Sequence, residues 1–260
     1  MPKFCANISF MFLERPFLER YQLAKTAGFK AVESGFPYGL NPDDVVAAKN
    51  AAGIDQVLLN VYTGDVTKGE LGFAAIPGKE KQFKESINQT VDLGKRLNVK
   101  KIHIMAGKVE ESKEENDTVY VNNLKYASKI LEKENLLGVI EPINSYSVPN
   151  YYMNCYNKAM KVINEISSSN LKLMLDVFHL QMIRGNVTNA IRDFGNQIGH
   201  VQIAQAPSRH EPGHAGELNY AYVLKTLEER GYVDWIGLEY KPAQSTVAGL
   251  DWINKFGYSL

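Results

Sequence analysis

Residues 171–179 read LKLMLDVFH. Leu171, Leu173, Met174, Leu175 and Val177 form a nearly continuous apolar run, the pattern of a strand buried on both faces. At its end the chain presents Asp176 and then His179, an anionic oxygen donor and an imidazole three residues apart. That pair suits a metal ion or a sugar. The alternative has Asp176 capping the following helix and His179 solvated in a loop. What separates the two readings is whether other strands end in the same way.

Working outward, strand patterns fall at 4–10, 29–33, 54–61, 101–105, 137–141, 200–205 and 235–239, besides the central run. Helical spacing or helix signals fall between them, at 17–27, 42–53, 79–97, 117–134, 157–167, 191–194, 220–229 and 246–256. Gly28, Gly53 and Gly231 serve as helix stops, and Pro16 and Pro42 stand at helix starts. Eight strand-then-helix units of about 30 residues match the size of a βα repeat. No linker or low-complexity tract divides them. The expected fold is therefore α/β, a closed (β/α)8 TIM barrel in a single domain over residues 1–260. A doubly wound open sheet is the competing architecture. It calls for a Gly-rich phosphate turn after the first strand, and NISFMFLERP is nothing like one.

The chain has 260 residues, 45% hydrophobic and 22% charged, with 29 basic and 29 acidic side chains and no net charge. A balanced charge speaks against a nucleic-acid partner, which calls for a clustered positive surface. No stretch approaches the roughly 20 apolar residues of a membrane span, and MPKFCANISF has no secretory layout. Cys5 and Cys155 make no disulfide framework. The expected setting is cytoplasmic.

Catalytic groups of such barrels sit at the C-terminal ends of the strands. Those ends carry Glu33, Asn60, His103, Glu141, Asp176, Gln202 and Glu239. Glu141, Asp176, Gln202 and Glu239, from strands five to eight, would point into one mouth. Carboxylates that close repel each other and resist desolvation unless a cation joins them. An oxygen-only donor set suits Mg2+ or Mn2+. Each residue has a plainer alternative: Glu141 as an exposed strand end, Glu239 paired with Lys241, Gln202 bonded to backbone, His103 as a satisfied core histidine. Glu33 reads more readily as a structural hydrogen-bonding group at the mouth than as a ligand. The long segment 62–77, with Glu70 among its glycines, is of a kind that usually has a role, such as closing over a site.

Several longer motifs carry a resemblance over essentially the whole chain: FCANISFMF, GFKAVESGFPY, GDVTKGELGFAAIPG, HIMAG, GVIEPIN, LDVFHLQMIRGNVT, GHVQIAQAPSRHEP, GELNY and GLEYKP. The sequence resembles the hydroxypyruvate isomerases and the related 2-oxo-tetronate isomerases of the xylose isomerase-like barrel superfamily. The resemblance implies an aldose–ketose type isomerase acting on a small hydroxy-keto acid with a divalent metal. It implies Glu141 and Glu239 as the acid/base pair and as metal ligands, Asp176 and Gln202 as the remaining ligands, and His179 and Arg209 near the substrate. Asn60, Glu70 and His103 are the further candidates for substrate contact. EPIN after strand five favours hydroxypyruvate, interconverted with 2-hydroxy-3-oxopropanoate (tartronate semialdehyde) through an enediolate; a 2-oxo-tetronate or another short keto-sugar acid is the alternative substrate. Arg209 suits the substrate carboxylate because a guanidinium fork binds it bidentately, unless it pairs with Glu211. The chain departs from many sugar epimerases of the superfamily, which carry histidine at Gln202 and a glutamate where this chain reads INSYS. Two other functions are open to such a barrel. An abasic-site nuclease of the same barrel uses a histidine-rich zinc cluster, whereas this chain has five histidines, only some at strand ends. A non-catalytic acid- or sugar-binding barrel would bind substrate without exchanging its C–H protons.

Overall fold

The computed structural model describes residues 2–260. Its strands are β1 (Lys3–Asn7), β2 (Ala31–Ser34), β3 (Asp55–Asn60), β4 (Lys101–His103), β5 (Leu137–Ile140), β6 (Leu171–Asp176), β7 (Ile198–Ile203) and β8 (Trp235–Leu238). All pair in parallel, each with the next, and β8 pairs with β1 to close the barrel. The intervening helices are α1 (Phe17–Thr26), α2 (Pro42–Ala52), α3 (Glu80–Leu97), α4 (Glu114–Lys133), α5 (Tyr156–Ile166), α6 (Val177–Ile183), α7 (Val187–Phe194) and α8 (Tyr220–Glu229), with α9 (Asp251–Lys255) at the end. The expected (β/α)8 TIM barrel is what the chain forms.

The local signals act as their chemistry requires. Asn41 caps α2 by accepting from Asp43 N–H, Pro42 takes the first turn, and Gly53 ends the helix at φ 60°. The expected last helix, 246–256, is shorter: a single 3-10 turn precedes five α-helical residues. His179 lies inside α6, and Asp176 both ends β6 and caps that helix, accepting from Phe178 N–H at 2.8 Å. The capping and site readings of Asp176 are therefore compatible, because its other oxygen stays free.

Most apolar burial lies between the sheet and its helices. A second, smaller cluster joins Cys5, Ala31, Val57, Leu58, Val139 and Met174. Of these, Cys5, Ala31, Leu58 and Val139 stand one alternation below Asn7, Glu33, Asn60 and Glu141 on their own strands, which places them beneath the mouth. Register then sets the mouth: Asn7 pairs with Glu33, Asn60 with His103, and Asp176 with Gln202, which in turn pairs with Gly237.

The segment 62–77 is anchored through its second half. Phe73, Ala74 and Ala75 are buried. Asn116 and Asn123 of α4 donate to the carbonyls of Ala75 and Ala74, each at 2.9 Å. Gly72, at φ 103°, lies directly on the Met105 carbonyl, where a Cβ has no room. Gly72→Ala is expected to lower folding stability by about 1–3 kcal/mol through that clash and the positive φ, read as a shifted denaturation midpoint. An unchanged midpoint would show that this half of the loop yields freely.

Candidate active site

Glu141, directly after β5, Asp176 at the end of β6, Gln202 on β7 and Glu239, directly after β8, converge at the C-terminal mouth, all of them buried. Arg209, from the β7–α8 loop, binds Glu239 Oε2 and lies 3.7 Å from Asp176 Oδ2. It does not pair with Glu211, whose carboxylate accepts from Ala243 N–H. The Arg209 guanidinium sits between the rings of Phe10 and Phe178, 4.7 and 4.9 Å from their centroids. Such packing favours a planar cation and holds its fork in place.

His179 closes the group from α6. Its Nε2 lies 3.6 Å from Asp176 Oδ2 and 3.9 Å from Glu141 Oε1. Asn144 donates to His179 Nδ1 from both its side chain, at 2.6 Å, and its backbone N–H, at 3.3 Å. The Asn144 amide is itself oriented by Ser147 N–H, which donates to Oδ1. Nδ1 is therefore the acceptor, and the proton of the neutral ring sits on Nε2, aimed at the carboxylates. Burial, with Arg209 and His103 nearby, holds this imidazole well below its ordinary pKa.

His103 and Asn60 join the same mouth. His103 Nδ1 lies 3.3 Å from Asn60 Oδ1, and Nε2 lies 3.5 Å from Glu141 Oε2. Burial lowers the His103 pKa to about 3, so the ring is neutral. Glu70 is placed elsewhere. Its carboxylate accepts from Asp65 N–H at 2.7 Å and faces Lys79 at 3.7 Å, so these contacts tie it to its own loop. The plainer alternatives for two ligand candidates also change: Glu239 pairs with Arg209, not Lys241, and Gln202 bonds side chains, not backbone.

The electrostatics follow from burial and charge count. Glu141, Asp176 and Glu239 face one guanidinium, a surplus of two negative charges if all ionise. Burial is the main cause of the upward pKa shifts. It raises Asp176 to about 6 against the pull of Arg209, and Glu239 to about 8, where Asp176 and Glu33 add to the shift. Glu141 is pushed well above the carboxylate range by burial and then by Glu239 and Asp176. Three donor oxygens, Glu141 Oε1, Asp176 Oδ2 and Gln202 Oε1, are buried without a hydrogen-bond partner, as is His103 Nε2. Orphaned buried acceptors of this kind call for an explanation. A hard divalent cation fits them in donor type and fits the surplus charge in magnitude.

Sequence reasoning missed four supporting residues. Asn144 lies inside EPIN, a motif that pointed to the family and not to a contact. Phe10 and Phe178 read as ordinary apolar residues. His200, which strand-end reasoning cannot reach, is hydrogen-bonded to Glu33 at 2.6 Å deeper in the barrel.

Comparison with known proteins identifies the family. The sequence profile of the xylose isomerase-like TIM barrel family matches residues 21–256. A Drosophila melanogaster protein provisionally named a hydroxypyruvate isomerase is 43% identical, over 99% of this chain and 99% of its own. The Escherichia coli K12 protein named hydroxypyruvate isomerase is 37% identical, over 98% and 100%. Two bacterial relatives named 2-oxo-tetronate isomerase match at 36% and 38% identity. A crystal structure from Brucella melitensis, titled AP endonuclease, family 2, superposes with a TM-score of 0.95 at 36% identity, covering 98% of this chain and 99% of that one. With relatives named isomerase matched along nearly their whole length, this chain is an isomerase and belongs to the xylose isomerase-like TIM barrel family.

Proposed function

We propose that the chain interconverts hydroxypyruvate and 2-hydroxy-3-oxopropanoate, with Glu141 and Glu239 as the proton-transferring pair. The observation that carries this reading is the convergence of those two buried glutamates with Asp176, Gln202, His179 and Arg209 in one mouth. In the forward direction one carboxylate takes a proton from the CH2OH carbon. A proton is delivered to the neighbouring carbon, while the hydroxyl proton passes from one oxygen to the other. The product is an isomer, so nothing else is consumed. A carboxylate is a base when ionised and an acid once it has taken a proton, so the pair can pass a proton in either direction. The roles of the two glutamates exchange with direction. Arg209 offers its fork to the substrate carboxylate, and His179 offers its Nε2 proton to a substrate oxygen.

Glu141, Asp176, Gln202 and Glu239 would hold Mg2+ or Mn2+, which when bound supplies Lewis-acid stabilisation of negative charge on the substrate oxygens. Ligand carboxylates must lose their protons to bind it. Mn2+ affinity is therefore expected to rise from pH 6 to pH 8, through the Asp176 and Glu239 pKa values of about 6 and about 8. Each proton released contributes about tenfold per pH unit. Titration calorimetry at three pH values checks this, and an affinity that falls with pH would contradict the ligand set.

The substrate test is proton NMR in deuterated buffer with Mg2+, offering hydroxypyruvate and a 2-oxo-tetronate in parallel. Formation of the semialdehyde with solvent deuterium incorporated supports the reading. Turnover of the four-carbon acid alone would reassign the substrate and keep the chemistry, in line with the relatives of that name. No exchange with either would overturn the substrate class. The nuclease title of the Brucella structure suggests another activity. The zero net charge and the surplus of carboxylates in the mouth are poor features for gripping a phosphate backbone.

A further inference from the structure

Below the mouth runs a column of ionic and polar side chains, in a place where barrels usually stack aliphatic layers. Asp234 Oδ2 binds Lys101 Nζ at 2.8 Å, and Lys101 Nζ lies 3.0 Å from His200 Nδ1. His200 Nε2 lies 2.6 Å from Glu33 Oε2. Glu33 Oε1 then accepts from Gln202 Nε2 at 2.7 Å and Asn7 Nδ2 at 3.0 Å. Lys101, His200, Glu33, Asn7 and Gln202 are all buried.

Donor and acceptor roles are fixed along the whole column. An ammonium only donates, so Lys101 makes His200 Nδ1 the acceptor and leaves the ring proton on Nε2 for Glu33. Glu33 is then a carboxylate that accepts only. Facing it, Gln202 must present its NH2, whose second hydrogen reaches Glu239 Oε1 at 3.3 Å. Asn7 is turned the same way, because its Oδ1 already accepts from Ser9 N–H, and its NH2 also bridges Glu33 and Glu239. The carbonyl oxygen of Gln202 is thus forced away from Glu33 and stands buried with no partner.

We propose that Glu33, held by the His200–Lys101–Asp234 column, is a positioning residue that sets the amide orientation of Gln202, so that its oxygen and not its NH2 is offered to the divalent cation. This rests on the cation reading proposed above. Two further features show that the position of Glu33 is built. The β2–β3 register shifts between Val32 and Glu33, the kind of irregularity that re-aims a side chain beside a site. Gly237, the register partner of Gln202, leaves open the space that the Glu33 carboxylate fills, since a Cβ there would lie on its oxygens.

The test is a Mn2+ titration of the full chain and its variants at one fixed pH, with circular dichroism to follow folding. In Glu33→Gln the new side chain satisfies His200 with its oxygen and turns an NH2 on Gln202, which must flip. Affinity is expected to fall about tenfold or more, the usual scale for losing a group that orients a metal ligand. With Gln202→Glu as background, the same Glu33→Gln change is expected to raise affinity, because the new NH2 now meets a carboxylate and removes a like-charge contact. That reversal of sign separates orientation from packing, since a mere loss of packing would lower affinity in both backgrounds. Equal affinity of Glu33→Gln and the unaltered chain, or a loss in both backgrounds, would overturn the proposal. Should Glu33→Gln fail to fold, Gly237→Ala displaces the carboxylate without changing a polar group, and unchanged affinity there overturns it equally. An unaltered chain that binds no Mn2+ removes the cation reading itself, and this inference with it.

Discussion

Glu239→Gln is expected to reduce turnover of hydroxypyruvate by about 10²–10⁴-fold, the scale on which a positioned acid/base group contributes, with the fold retained. The substitution is nearly isosteric. Its oxygen can still accept from Asn7 and Gln202, which reach Glu239 Oε1 at 3.0 and 3.3 Å. What it loses is the capacity to carry a proton near neutral pH and the charge that faces Arg209. Because the change removes proton transfer, kcat should fall more steeply than KM rises. Solvent deuterium should enter substrate correspondingly slowly, and the denaturation midpoint should shift little. A variant with near-normal turnover would remove Glu239 from the acid/base pair and leave Glu141 to be tested alone. Glu141 has an unpartnered oxygen, as Asp176 does, so it is able to take up a proton without first breaking a hydrogen bond.

The barrel was legible because parallel strands buried on both faces leave long apolar runs, and turn residues punctuate them. LKLMLD became β6 over the same residues. The mouth was legible for a related reason: in this architecture a polar residue that ends an apolar strand has nowhere else to point. Glu141, Asp176, Gln202 and Glu239 met as their strand positions required, and His103 joined Glu141. Contacts set by tertiary packing were not legible. Glu70 sits in a Gly-rich segment suited to a lid, yet its carboxylate serves Asp65 N–H and Lys79, a choice fixed by loop geometry that sequence does not encode locally. Arg209 was placed near substrate by resemblance, but its seat between Phe10 and Phe178 joins residues from distant parts of the chain. His200 shows the limit most clearly. It sits two residues before Gln202 on the same inward face of β7, and only the closed barrel brings Lys101 and Glu33 to its two nitrogens.

Removal of divalent metal by a chelator is expected to abolish isomerisation reversibly, and the charge count in the mouth sets the size of the effect. Three carboxylates share one guanidinium, so without a cation protons must make up the difference. That is the direction of the pKa shifts of Glu141, Asp176 and Glu239. A protonated carboxyl is a poor base, so the metal-free protein loses part of its proton-accepting capacity as well as the Lewis acid. Several kcal/mol of transition-state stabilisation go with the Lewis acid alone, which corresponds to roughly a thousandfold or more in rate. Re-addition of Mg2+ or Mn2+ should restore activity, and the metal should also raise the melting temperature, since it binds the folded chain and not the unfolded one. The rise should be larger at pH 8 than at pH 6, because fewer protons then compete for the carboxylates. Full turnover in thoroughly chelated protein would take the ion out of the reaction. Glu141 and Glu239 would then have to work with Arg209 and His179 as the sole electrophilic support for the developing charge.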